Sequence, residues 1–263
     1  MFYEVHFMKS FFTRYQQGEC QQVWNELYTL GPVVRKEDMY PDAERVAVET
    51  MRRVRQNIEL LIPRLEEVGY TFGYAWAQEE AFIGELWIAR QPTRYTPPPP
   101  SISERIQHFE EQAGLLPLSV RAFYREVGGV NFVGRHPSWE HLFGASQKRG
   151  IALTNLDPLF VWALNKDIFT DYSEWQRGEE ESLYPLPIAP DYEFKYYTSG
   201  TGAYEIEIPN AAADAMLLGE WHQTTFVNYL RICFYYGGLP GLQYISHLIP
   251  DELAYLRKDL LPI

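Results

Sequence analysis

The sequence predicts a fold of mixed helix and strand, helical in its first third and alternating beyond it. Three observations carry this. Apolar residues recur at four- and three-residue spacing from Ala47 to Val68, the period of one helix face. Tyr204, Ile206 and Ile208 alternate with Glu205 and Glu207, the period of a half-buried strand. Two glycine pairs, Gly128 with Gly129 and Gly237 with Gly238, each follow a helical pattern. Glycine takes the left-handed cap conformation without a side-chain clash, so both pairs read as structural turns that end helices.

The first helical pattern is "GECQQVWNELYTLG", with Val23, Trp24, Leu27 and Leu30 on or near one face. The next begins near Pro41 and carries the stripe Ala47, Met51, Val54, Ile58, Leu61, Leu65 and Val68. Pro63 is expected to break or kink it, and Gly69 to stop it. The stripe fits a coiled-coil seam or packing against the chain's own neighbours, and its shortness favours the second. Arg45, Arg52, Arg53 and Arg55 share this helix with Glu44, Glu49 and Glu59. They form either a solvated, paired face or a patch for an acidic partner. "YTFGYAW" (70–76) reads as a strand or an extended arm, and "AFIGELWIAR" (81–90) as a strand.

Residues 97–100 are four consecutive prolines. Such a run favours a stiff, extended conformation. It divides the chain into a helical segment, 1–96, and a second domain, 101–263. The alternative is a ligand for a proline-binding domain.

The second domain opens with Ser101 and Glu104 at capping-box spacing. Ile102, Ile106, Phe109 and Ala113 form the helical stripe, and Gly114 ends it. Pro117 suits the first turn of another helix. Val120, Phe123, Tyr124 and Val127 are its buried face, Gly128 and Gly129 stop it, and "VNFVG" continues as a strand. "IALTNLDPLFVWAL" turns at Asp157 and Pro158, and "YPLPIAPDYEF" is punctuated by prolines. "EFKYYTSGTGAYEIEIP" reads as two strands around a glycine-rich turn. "FVNYLRICFYYGGLPG" is a helix closed by Gly237 and Gly238, and at least one of Phe234, Tyr235 and Tyr236 is expected to be exposed or hydrogen-bonded through its hydroxyl. "DELAYLRKDL" is a last short helix.

Composition bounds the function. With 46% apolar and 16% aromatic residues among 263, the chain can bury a core as one large or two smaller domains. A net charge of -12 argues against direct nucleic-acid binding, which needs clustered Lys and Arg. It permits a basic partner steered by charge. Residues 1–96 carry a net charge of -3 and residues 101–263 a net charge of -9, so such a partner is expected on the second domain.

The two cysteines, Cys20 and Cys233, match no metal or redox spacing and are expected as reduced thiols. No leader-like start and no run of about 20 apolar residues occurs, so a soluble cytoplasmic protein without membrane contact is expected.

Catalytic signatures are sparse, and neither a cofactor nor a metal site is expected. No phosphate-loop motif and no G-x-S-x-G elbow occurs. "TSGTGAY" (198–204) has a serine, Ser199, beside threonine and glycine, but as a nucleophile it would need a nearby base, and a hairpin turn explains the composition. His136 and His141 lack any accompanying metal-ligand pattern. The acidic stretch "DYSEWQRGEEESLY" is the candidate partner-binding surface: Asp171, Tyr172, Glu174, Trp175, Glu179, Glu180 and Glu181. Clustered carboxylates repel, so an exposed loop is its expected setting. It is either a solvated loop or a docking surface with Trp175 as aromatic anchor.

Four stretches occur in a telling order: "IQHFEEQAGLLP", "LSVRAFYREVGGV", "KYYTSGTGAYEIEIP" and "TFVNYLRICFYYGGLPG". Over residues 101–241 the chain thereby resembles the SUKH superfamily of Smi/Knr-like proteins, fungal cell-wall regulators and bacterial immunity proteins. The resemblance implies an α+β fold, a mostly antiparallel sheet packed with helices. It implies a non-enzymatic protein-binding role, most simply toxin neutralisation by an immunity protein that occludes a basic partner such as a nuclease. A regulatory adaptor or scaffold is the runner-up, and a small-molecule enzyme comes third. It supplies no catalytic residues, and it leaves the N-terminal helices without an assigned role.

Overall fold

The computed structural model describes residues 10–73, 94–139, 156–178, 183–192, 195, 202–243 and 250–263. Helix α1 (Phe11–Gln16) starts at Ser10, whose hydroxyl accepts from Thr13 N. Helix α2 (Cys20–Leu30) buries Val23, Trp24 and Leu27, the expected face. Arg14 ties the two together, lying 2.8 Å from Glu19 and 2.6 Å from Glu26.

A short 3-10 turn leads into α3 (Tyr40–Glu67). Its stripe from Ala47 to Leu65 is fully buried. Pro63 does not break this helix, which continues to Glu67. The ring removes one intrahelical hydrogen bond, but Leu61 and Leu65, buried on either side of it, hold the last turn against the core. Gly69 comes next at φ +94 and stops the helix as expected. The arginines of α3 are paired: Arg53 with Glu49, Arg55 with Glu59, and Arg52 with Glu126. Arg45 instead lies 4.0 Å over the Phe12 ring.

Packing runs across the proline run. Strand β1 (Thr71–Phe72) precedes it and strand β2 (Arg94–Thr96) adjoins it. Beyond it come α4 (Ile102–Ala113), α5 (Leu118–Glu126), β3 (Gly129–Asn131) and β4 (Gly134–Arg135). β1 pairs antiparallel with β4, and β2 with β3. Arg121 of α5 reaches Glu44 of α3 at 2.8 Å and Glu110 of α4 at 3.3 Å. The buried side chains on both sides of the prolines form one cluster.

Ser101 makes no side-chain cap bond, so the expected capping box is not formed. Its ψ of 10 is near-helical and departs from the extended backbone typical of a capping residue, and Ile102 N donates to Pro99 O. The first glycine pair divides its roles: Gly128 (φ +89) ends the α5 turn, whereas Gly129 is a residue of strand β3, opposite Thr96, and not a turn.

Strand β5 (Phe160–Val161) extends the sheet on the other side of β3. Helix α6 (Lys166–Gly178) is next, then β6 (Tyr184–Pro190) and β7 (Ala203–Ile208). The described strand partner of β7 is therefore the proline-punctuated stretch; within the expected first strand Lys195 is helical, and residues 193, 194 and 196–201 lie outside the described residues. Prolines are tolerated in β6 because it is an edge of the two-stranded β6–β7 sheet, with a register irregularity after Pro187. Tyr204, Ile206 and Ile208 are buried, as their alternation predicts.

Helix α7 (Phe226–Tyr235) ends at Gly237 and Gly238, both at positive φ, and Tyr235 is exposed. Helix α8 (Leu253–Arg257) leads to a tail fastened by Asn57, which donates to Leu261 O and accepts from Leu261 N. The fold is α+β, with small antiparallel sheets packed by helices.

Candidate functional site

The acidic stretch is helical through Gly178 and is not the expected loop. Ile168, Tyr172 and Trp175 fall on one helical face, and burial of that face outweighs the repulsion among exposed carboxylates. Asn165 starts the helix by accepting from the backbone of Asp167 at 2.9 Å and Ile168 at 3.2 Å. Tyr172 is buried and donates its hydroxyl to Gln112 O at 2.8 Å, so it anchors α6 to α4 and leaves the candidate surface. Asp171 and Glu174 are exposed and Trp175 is half-buried. Glu179, Glu180 and Glu181 lie outside the described residues, as do Ser199, His141 and residues 81–90.

Between α6 and the β6–β7 pair lies a groove of about 540 Å³. Trp162, Trp175, Tyr184, Pro185 and Pro187 give it apolar walls, and Asp167, Asp171, Glu174 and Glu205 give it carboxylates. Its described lining contains no Lys or Arg. Sequence reasoning found the helical half, Asp171, Glu174 and Trp175. It missed Glu205 and Tyr184, which reach the groove through the β6–β7 pairing, and Trp162, which follows β5 and donates its backbone N–H to Ile188 O of β6 at 2.9 Å. The alternation that buries Tyr204 and Ile206 was the available signal, because it turns Glu205 outward onto the same face as Pro187, its partner in the register.

The aromatic wall is held rigidly. Trp175 stacks on Tyr172 (5.9 Å, 27°) and meets Tyr184 at 5.3 Å. Tyr184 donates to Asp171 Oδ2 at 2.5 Å. Burial, then that bond to a carboxylate, pushes the Tyr184 hydroxyl far above its ordinary pKa, so it stays a donor. Burial also raises the Glu205 carboxyl, and the Asp171 charge pushes it the same way. None of the four groove carboxylates has an ion-pair partner among the described residues.

This has a consequence for stability. The folded-state Glu205 carboxyl titrates above its unfolded value, so between the two the folded chain holds the extra proton. Its contribution is favourable at low pH and is lost as pH rises through the folded pKa. Glu205→Gln is expected to stabilise the protein at neutral pH by about 0.5 kcal/mol, a small effect because solvent reaches the group. It should also flatten the fall in stability just above the ordinary glutamate range. Urea denaturation across pH checks this, and a variant less stable than the parent at pH 7 would contradict it.

No grouping of three or more His, Cys, Asp or Glu suited to a metal occurs among the described residues. Both cysteines are free and buried. Burial raises the Cys233 thiol well above its ordinary pKa, which suppresses thiolate chemistry. His136 is buried with Nε2 2.6 Å from Val68 O, so that nitrogen carries the proton and donates it to the backbone. No helix among the described residues is long and apolar enough to cross a membrane. Comparison with protein families, with curated proteins and with solved structures returns no match to this chain.

Proposed function

We propose that the chain is a non-enzymatic, SUKH-type protein-binding molecule that acts as an immunity protein, neutralising a basic partner such as a nuclease toxin by covering its cationic site. The observation that carries this reading is the groove between α6 and β6–β7, where four carboxylates with no ion-pair partner among the described residues stand beside an aromatic wall. Unpaired like charges held together cost free energy in the isolated protein. A cationic partner relieves that cost, and the aromatic wall supplies the desolvated anchor that dominates most interfaces. A groove that faces a nuclease's phosphate-binding Lys and Arg side chains would deny them to the substrate. A cytoplasmic location suits such a role.

The test is affinity capture from a native lysate at low and high salt, with the bound protein identified. One basic protein, captured at low salt and released at high salt, is the expected result. Trp175→Ala combined with Glu174→Gln is expected to weaken that capture at least about tenfold, the loss of one anchor and one charge contact. Partners that are acidic, or indifferent to both salt and the double substitution, would overturn the reading.

A further inference from the structure

We infer that the groove between α6 and the β6–β7 pair is an arginine-recognition pocket: it takes the guanidinium of one arginine on a loop of the basic partner. This rests on the partner-binding reading above and names the chemistry of its central contact.

Three features select a guanidinium over an ammonium. The first is the wall. Half-buried Trp175 is the aromatic surface open to a ligand and is fixed between Tyr172 and Tyr184, while Trp162 and Tyr184 line the groove as buried side chains behind it. A planar cation stacks on such a surface, whereas a hydrated ammonium gains less from it. The second is the distribution of acceptors. Asp171 and Glu174 come from the helix and Glu205 from the strand, so acceptors lie on both sides of the groove. A guanidinium has five N–H donors spread around a plane and can satisfy both sides, while an ammonium acts as a compact point charge.

The third feature is the state of Glu205. It is half-buried, it faces the Asp171 charge, and it has no hydrogen-bonding or ionic partner for its carboxylate among the described residues. Tyr184 already serves Asp171 Oδ2, which fixes that carboxylate in place without neutralising it. The site is thus built before the ligand arrives, with the rotamers of its wall and of Asp171 set by contacts within the protein. The groove is also of a size that admits a side chain with its flanking backbone and not only a single ion.

Arginine binding holds Glu205 ionised. Affinity is therefore expected to weaken as pH falls through the raised pKa of Glu205. Asp167, Asp171, Glu174 and Tyr184 are the other titratable groups lining the groove. Lys166 and Arg177 sit on the same helix outside it, with Arg177 Nε turned back to Ser173 O.

The experiment is calorimetric titration of the full chain with three capped tripeptides, Gly-Arg-Gly, Gly-Lys-Gly and Gly-citrulline-Gly. Citrulline keeps the shape of arginine and removes its charge. The expected result is saturable binding of the arginine peptide, weaker binding of the lysine peptide and at least about tenfold weaker binding of the citrulline peptide. Glu205→Gln, which is expected to be more stable than the parent, should lose about fivefold in arginine affinity. Glu174→Gln, at an exposed position, should lose a smaller factor, so a loss cannot be put down to unfolding. Equal binding of arginine and citrulline, no saturable binding, or indifference to Glu205→Gln would each overturn the proposal. If the arginine peptide fails while a basic protein is still captured through Trp175, the pocket assignment falls and partner binding stands. If the peptide binds while no basic protein is captured, the pocket stands and partner neutralisation falls.

Discussion

Lys195→Met is expected to destabilise the protein by about 3–5 kcal/mol, the cost of leaving one member of a buried ion pair without the other. Lys195 Nζ lies 2.6 Å from Asp157 Oδ1, and the two side chains are 0% and 1% exposed. Tyr204 donates to the second carboxylate oxygen at 3.2 Å, and its ring lies 5.0 Å from the ammonium. Burial, then the Asp157 charge, pushes the Tyr204 hydroxyl far above its ordinary pKa, so it remains a donor to that oxygen. With Lys195 gone, among the described residues only the Tyr204 hydroxyl is left to support a carboxylate that is 1% exposed. The midpoint of thermal unfolding should fall by roughly 6–20 °C for a chain of this size.

The double variant Lys195→Met with Asp157→Asn is expected to recover part of the loss. The amide carries no charge and can still accept from Tyr204. Asparagine also tolerates the backbone here, where Asp157 has φ +41. A double-mutant cycle separates the pair's coupling from the packing of each side chain. If Lys195→Met costs less than about 1 kcal/mol, as a surface pair would, the ion pair is not sealed from water. The location connects this pair to the groove. Lys195 lies in the connection between β6 and β7, and Asp191 N bonds Gly202 O at 3.2 Å where that connection returns to the groove wall. Loosening Lys195 is therefore expected to weaken ligand binding in variants that remain folded.

The parts of this fold written locally were legible. The stripe of α3 and the alternation of β7 each depend on one element burying one face, so periodicity alone exposes them. The turn at Gly237 and Gly238 depends only on φ. The failures share a different cause. Pro63 survives in α3 because tertiary burial offsets one missing hydrogen bond, and no local pattern records that. The acidic stretch is helical because Tyr172 finds Gln112 O, 60 residues earlier in the chain. The groove was half legible for the same reason. Its helical residues are consecutive turns of one segment, but Glu205 and Tyr184 join them only through strand pairing. Whether the segments on either side of the proline run pack together was not legible at all, because a sequence does not show which side chains meet across it.

That packing is tested by Gly128→Ala, with an expected cost of about 3 kcal/mol or more from strain and overpacking together. A Cβ at residue 128 would lie 2.4 Å from Thr96 O, 2.8 Å from Pro98 N and 2.9 Å from the Pro97 carbonyl carbon. All three are backbone atoms, so no side chain can swing aside, and relief requires moving the proline run away from the end of α5. The residue also sits at φ +89, which by itself costs a non-glycine residue roughly 1–2 kcal/mol. Gly18 separates the two effects. It has φ +98 and nothing within 4 Å of its would-be Cβ. Gly18→Ala therefore carries the backbone strain without the collision and should cost about 1 kcal/mol. The difference between the two variants measures how firmly the prolines are seated, since overpacking against rigid backbone adds roughly 1–3 kcal/mol. Moving the run would also disturb the pairing of Thr96 with Gly129 and Tyr95 with Val130. The expected signature in Gly128→Ala is thus faster proteolytic cleavage near residues 97–100, together with the lower stability. Equal costs for the two variants, with no change in cleavage, would mean that the prolines are a free linker and that the helical N-terminal segment does not share a core with residues 101–263.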